Sequence, residues 1–179
     1  QPYHMTLLAK NEAGYRNLLI LSTKSHLEGY YYKPRVDREL LEQHHEGIIA
    51  LSGCATSEVS RRLTDGRFDE ALKAARYFKD LFGDFYIELQ EHGITEHEPL
   101  SHGLLRLAEE TGFPAVATND VHYVRRDDAY AQDILLCIGT NSAVQEENRL
   151  KMSGDPGCYY LKSEDEMRAL FPGHPDAIE

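Results

Sequence analysis

The spacing of apolar residues changes period repeatedly along this chain. Tyr3 to Leu8 is a short β-capable run. It leads into a helix-like stretch, Asn11 to His26, with Leu18, Leu19 and Leu21 expected on its buried side. Ile48 to Leu51 is uninterruptedly apolar between Gly47 and Ser52-Gly53, which suits a strand covered on both faces, as in a parallel sheet. Phe85 to Leu89 is a further strand, and Ala115 to Ala117, entered through Pro114, is expected to be a third buried one. Helical periods separate them. Thr56 to Leu63 is short. Phe68 to Phe82 sets Ala71, Leu72, Ala75, Phe78, Lys79 and Phe82 at helical spacing, and Pro99 to Thr111 carries a Leu100, Leu104, Leu107, Ala108 stripe. Arg38 to Glu46 and Asp127 to Ile138 are two more helices. Tyr159 to Leu161 is a short strand, and Ser163 to Glu166 has the spacing of a capping box. Glu28 to Asp37 is a loop, because Pro34 prevents regular pairing.

Strands alternating with helices are the α/β pattern. Only four or so strands are legible, too few to close a barrel, and the chain opens at Gln1 without a Met. Residues 1–179 are therefore expected to form one domain, an internal piece of a longer chain.

Metal-ligand residue types gather near the predicted strand ends. Asp120 and His122 follow the Ala115 strand two positions apart, and alternate residues of a strand share a face. Cys54 follows Leu51-Ser52-Gly53, and His4 lies in the first strand-like run. A Cys, two His and an Asp at such ends suit zinc, or a mixed site with manganese. Each has a plainer reading: a chance D-x-H, a small buried thiol, a surface imidazole. Glu88 closes its strand, as a residue behind the metal ligands or as a surface acid. Lys33 and Arg35 lie among Tyr30, Tyr31 and Tyr32. Such a loop can hold a nucleotide by stacking and phosphate contact; the competing reading packs the tyrosines beneath the loop. His44, His45, His92, His97 and His102 carry no ligand spacing, and no P-loop or G-x-S-x-G is present.

Composition narrows the setting. The formal charge of −11 argues against a broad nonspecific grip on nucleic acid, which needs a basic face, without excluding a nucleic-acid substrate. Three widely spaced cysteines, Cys54, Cys137 and Cys158, are not a disulfide framework and suit a reducing cytoplasm. No stretch approaches the ~20 apolar residues of a membrane span.

The segments YHMTLLAKN (Tyr3 to Asn11), GYYYKPRVD (Gly29 to Asp37), LSGCATSE (Leu51 to Glu58), FYIELQ (Phe85 to Gln90) and ATNDVHY (Ala117 to Tyr123) resemble, in order and spacing, the PHP domain of bacterial DNA polymerase III alpha subunits. The resemblance covers essentially the whole chain. It implies a distorted seven-stranded (β/α) barrel, here lacking its N-terminal strands. It also implies a divalent metal cluster of zinc, manganese or iron. His4, Cys54, Asp120 and His122 match the later ligands, and an H-x-H and other early ligands would lie upstream. The implied activity is metal-dependent phosphodiester hydrolysis, a 3′→5′ exonuclease, with Asp120 and His122 at its centre. The implied partners are a DNA primer-template and other replisome subunits. Two alternatives stand beside it: a degenerate PHP scaffold that steadies the polymerase and docks a separate proofreading subunit, and a free-standing phosphoesterase, against which GYYYKPRVD argues.

Overall fold

Four strands and seven α-helices alternate along the described residues, 2–94 and 97–178, of a computed structural model. In chain order they are β1 (Thr6–Ala9), α1 (Glu12–Leu27), α2 (Arg38–Gln43), β2 (Ile48–Leu51), α3 (Glu58–Thr64), α4 (Phe68–Phe82), β3 (Phe85–Gln90), α5 (Glu98–Thr111), β4 (Ala115–Thr118), α6 (Ala129–Thr140) and α7 (Glu164–Leu170). The strands form one sheet in the order β1-β2-β3-β4. β2 and β3 are parallel, Ala50 against Phe85 and Leu51 against Tyr86. β1 runs antiparallel to β2, with Thr6 opposite Leu51 and Ala9 opposite Ile48. The sheet is therefore mixed.

Packing divides the chain into two units, Gln1–Glu88 with His102–Val116, and Leu89–Ser101 with Ala117–Glu179. In the first, Ile48, Ala50, Phe85 and Ile87 of the sheet are fully buried with Val59, Ala71, Ala75 and Leu107 of the helices. Phe85 is the largest of these fully buried side chains and packs against Phe78 at 6.0 Å and edge-on to Phe113 at 6.3 Å. Truncating such a ring to Ala costs roughly 3–5 kcal/mol. In the second unit Leu89, Tyr123, Cys137, Tyr159, Phe171 and Ala177 are buried.

Local signals explain most element ends. Asn11 caps α1 by accepting the Gly14 N–H at 3.0 Å, and a Cβ on Gly14 would stand 1.7 Å from the Gly47 carbonyl oxygen. Ser57 caps α3, and Ser163 with Glu166 forms the expected capping box of α7. Three expectations are corrected. Leu19 is exposed, because the buried stripe of α1 runs through Gly14, Leu21 and Ser25, and Leu19 lies off that stripe. β4 is half-buried along its whole length, since it stands last in the sheet order. Tyr159 to Leu161 forms no strand, only a single parallel bridge between Tyr123 and Tyr160. No described helix is long and apolar enough to cross a membrane.

Candidate metal centre

In the first unit the direction of β1 sets the site. His4 precedes β1 rather than lying within it, but β1 is antiparallel to β2, so its N-terminal end meets the C-terminal end of β2. There the His4 ring Nδ1 stands 3.8 Å from the Cys54 Sγ. The sulfur is half-buried and 3.1 Å from the Thr56 hydroxyl. Two donors on a tetrahedral zinc, sulfur at about 2.3 Å and nitrogen near 2.0 Å, stand about 3.5 Å apart, so a small closure of this pair would fit one metal.

The turn that presents Cys54 is tightly specified. Gly53 has φ +88°, and a Cβ there would lie 2.6 Å from the His4 carbonyl oxygen. Only glycine combines that conformation with that approach. The Gly53 N–H donates to Glu88 Oε2 at 3.1 Å, and the Glu88 N–H donates to the Ser52 Oγ at 2.9 Å. Glu88 is buried and is no surface acid; it fixes the backbone beside Cys54.

In the second unit Asp120 and His122 are both exposed. β4 ends at Thr118, so strand alternation does not aim this pair. A turn does, with Asp120 at φ +45°, a conformation that Asp tolerates better than most residues. The His122 Nδ1 lies 2.6 Å from the Asp120 carbonyl oxygen. A carbonyl only accepts, so Nδ1 is the donor here, which leaves Nε2 as the nitrogen to offer a metal. Metal-binding imidazoles are oriented in this way. Among the described residues no three His, Cys, Asp or Glu side chains group as a donor set; the candidate donors come as these two pairs.

Sequence reading passed over His92. It is buried, donates from Nε2 to the Asn119 carbonyl at 3.2 Å and stacks on Tyr159 at 4.4 Å. Burial holds its pKa below the usual imidazole value. Its position just past the end of β3 was the available signal.

The aromatic-basic loop differs from the packed reading. Tyr30, Tyr31 and Tyr32 are 62%, 64% and 81% exposed. The Tyr31 N–H bonds the Lys33 carbonyl at 3.1 Å and Tyr32 takes φ +60°, which turns the chain back on itself. The rings then have no layer to pack under. The Arg35 guanidinium lies 5.1 Å over the Tyr31 ring, and the Lys33 side chain is exposed.

The PHP domain family matches residues 1–92. The chain is 49% identical over 178 residues to DNA polymerase III subunit alpha of Treponema pallidum, covering 98% of this chain and 15% of that protein. The same subunit of Borreliella burgdorferi is 47% identical, covering 99% and 15%, and that of Thermus aquaticus 43% identical, covering 95% and 14%. The chain thus spans about 15% of the length of these relatives. It belongs to the PHP domain family, and its likeness to DNA polymerase III alpha subunits runs over nearly all of its length.

Proposed function

We propose that this chain is the later part of the PHP domain of a bacterial DNA polymerase III alpha subunit, and that it serves metal-dependent 3′→5′ exonucleolytic cleavage of DNA. The complete unit would be the distorted seven-stranded (β/α) barrel, with early ligands upstream. The observation that carries the reading is the His4–Cys54 pair, two metal-donor atoms 3.8 Å apart at adjoining strand ends.

His4 and Cys54 would hold a divalent cation, and the sulfur donor favours zinc over magnesium or manganese at that position. Thr56 can donate its hydroxyl hydrogen to the Cys54 thiolate. Asp120 offers a carboxylate that also suits manganese or iron, and His122 offers Nε2, aimed by its bond to the Asp120 carbonyl. Bound divalent cations would polarise the phosphoryl oxygens, lower the pKa of a water and steady the leaving oxygen. Tyr31, Lys33 and Arg35 would stack on a base and touch phosphate on the primer strand. The charge of −11 restricts such contacts to local cations, so the wider hold on the primer-template falls to the parent chain, with the other replisome subunits.

The test uses the full-length parent, wild type beside Asp120→Asn and His122→Ala. Asn tolerates the left-handed backbone of Asp120, so the first change removes charge without forcing the turn. Bound zinc, manganese or iron that falls in both variants, together with slower trimming of a mismatched 3′ end, supports the reading. Equal trimming by His122→Ala overturns it.

A second reading, a scaffold that docks a separate proofreading subunit, is favoured by α6. Tyr130, Leu135 and Ile138 there are 69%, 61% and 71% exposed. A folded parent that takes up no metal after resupply with zinc and manganese would decide for the scaffold.

A further inference from the structure

The Asp120–His122 turn leaves β4 with a non-glycine residue in the left-handed region, and exposed loops do not hold such a shape by themselves. Within the second unit, what holds it is the side chain of the preceding residue. Asn119 is 7% exposed. Its Nδ2 donates to the Cys158 carbonyl at 2.9 Å and to the Tyr160 carbonyl at 2.7 Å. Its Oδ1 accepts from the Lys162 Nζ at 2.8 Å. The same ammonium also donates to the Cys158 carbonyl. The Asn119 main-chain carbonyl accepts from His92. Both amide hydrogens and the amide oxygen are thus engaged, and the backbone just before Asp120 is pinned from two sides.

The splint continues past the turn. The His122 N–H donates to the Tyr159 carbonyl at 2.9 Å, and the Leu161 N–H donates to the Tyr123 carbonyl at 3.2 Å. The Tyr159 ring lies edge-on to the His122 ring at 5.6 Å and stacked on His92 at 4.4 Å. Residues 158–162 therefore grip 119–123 on both sides of the two candidate ligands. We infer that Asn119 and Lys162 are positioning residues that set the Asp120 carboxylate and the His122 imidazole for divalent-metal binding, an inference that rests on the metal-centre reading above.

An amide in this position is specific. Asp cannot donate to the two carbonyls and Leu cannot bond at all, whereas Lys162→Met keeps the stem and removes only the ammonium. The experiment uses the full-length parent stripped of metal and titrated with cobalt(II), whose visible bands report ligand geometry. Wild type is compared with Asn119→Leu, Lys162→Met and Lys162→Arg, and each is melted without metal. The expected result is cobalt binding at least tenfold weaker in Asn119→Leu and Lys162→Met, with altered bands, unchanged melting of Lys162→Met, and partial recovery in Lys162→Arg. A purely structural role would move the melting point and leave the bands alone. Wild-type affinity and bands in Lys162→Met would overturn the inference while the metal-centre reading stands. Loss of the cooperative melt in Lys162→Met would also overturn it, by making the pair a general fold element. No cobalt uptake by wild type would overturn both.

Discussion

Cys54 and His4, fifty positions apart in sequence, meet with sulfur and ring nitrogen 3.8 Å apart because β1 runs antiparallel to β2. A local contact would bring neighbours together; this one depends on the pairing of two four-residue strands. In the full-length parent, Cys54→Ser should lower zinc affinity at least tenfold, because a hydroxyl replaces a soft thiolate. A chelator competition assay measures it, and equal affinity in wild type and variant would refute the role assigned to Cys54.

Gly53 is a second pressure point. Gly53→Ala forces a Cβ at φ +88° to within 2.6 Å of the His4 carbonyl oxygen, so the turn must open or His4 must move. The expected cost is about 1–3 kcal/mol, typical of a side chain forced into such a conformation. Faster hydrogen exchange in the Ser52–Ser57 peptide of the parent is the readout. Wild-type protection there would contradict it.

His92 predicts a pH dependence. Burial lowers its folded pKa, so on acidification the unfolded chain takes up the proton first. Its contribution is present above about 6.5, the ordinary imidazole value, and is lost as pH falls through that value toward the lower folded one. Opening of the peptides around Asn119 and Tyr159, followed by hydrogen exchange between pH 7.5 and 5.5, should steepen in wild type and flatten in His92→Gln. Identical slopes would exclude His92 as the source.

The exposed loop predicts a salt dependence. If Lys33 and Arg35 each neutralise one phosphate, replacing both by Ala should reduce the slope of log K against log salt for single-stranded DNA by about 1.4. Tyr31→Ala should weaken binding without changing that slope, since stacking releases no counterions. Fluorescence anisotropy across a salt series separates the two.

Much of the fold was legible because its signals are local. The apolar run Ile48 to Leu51, the Ser163 capping box and the stripe of α4 each need only a few neighbouring residues, and each matches the structure. The direction of β1 was not legible, since nothing inside Thr6–Ala9 records which way its partner runs. The same limit misplaced the reasoning on Asp120 and His122. Strand alternation is the wrong ground for aiming that pair, because a left-handed turn and a bond to a backbone carbonyl set its geometry. Asn119 and Lys162 carried no signal, because their partners lie about forty positions away in sequence.

The register of β1 against β2 makes the approach of His4 to Cys54 sensitive to chain length where it is indifferent to side chains. Leu8 and Thr6 are exposed and tolerate exchange by that measure. Removal of Met5 would draw the imidazole along by about one residue's length of extended chain, ~3.4 Å, and away from the Cys54 sulfur. Strand β1 thus acts as a ruler. Insertions and deletions here, more than point substitutions, would decide which descendants of this sequence keep His4 beside Cys54 and which retain only the shape.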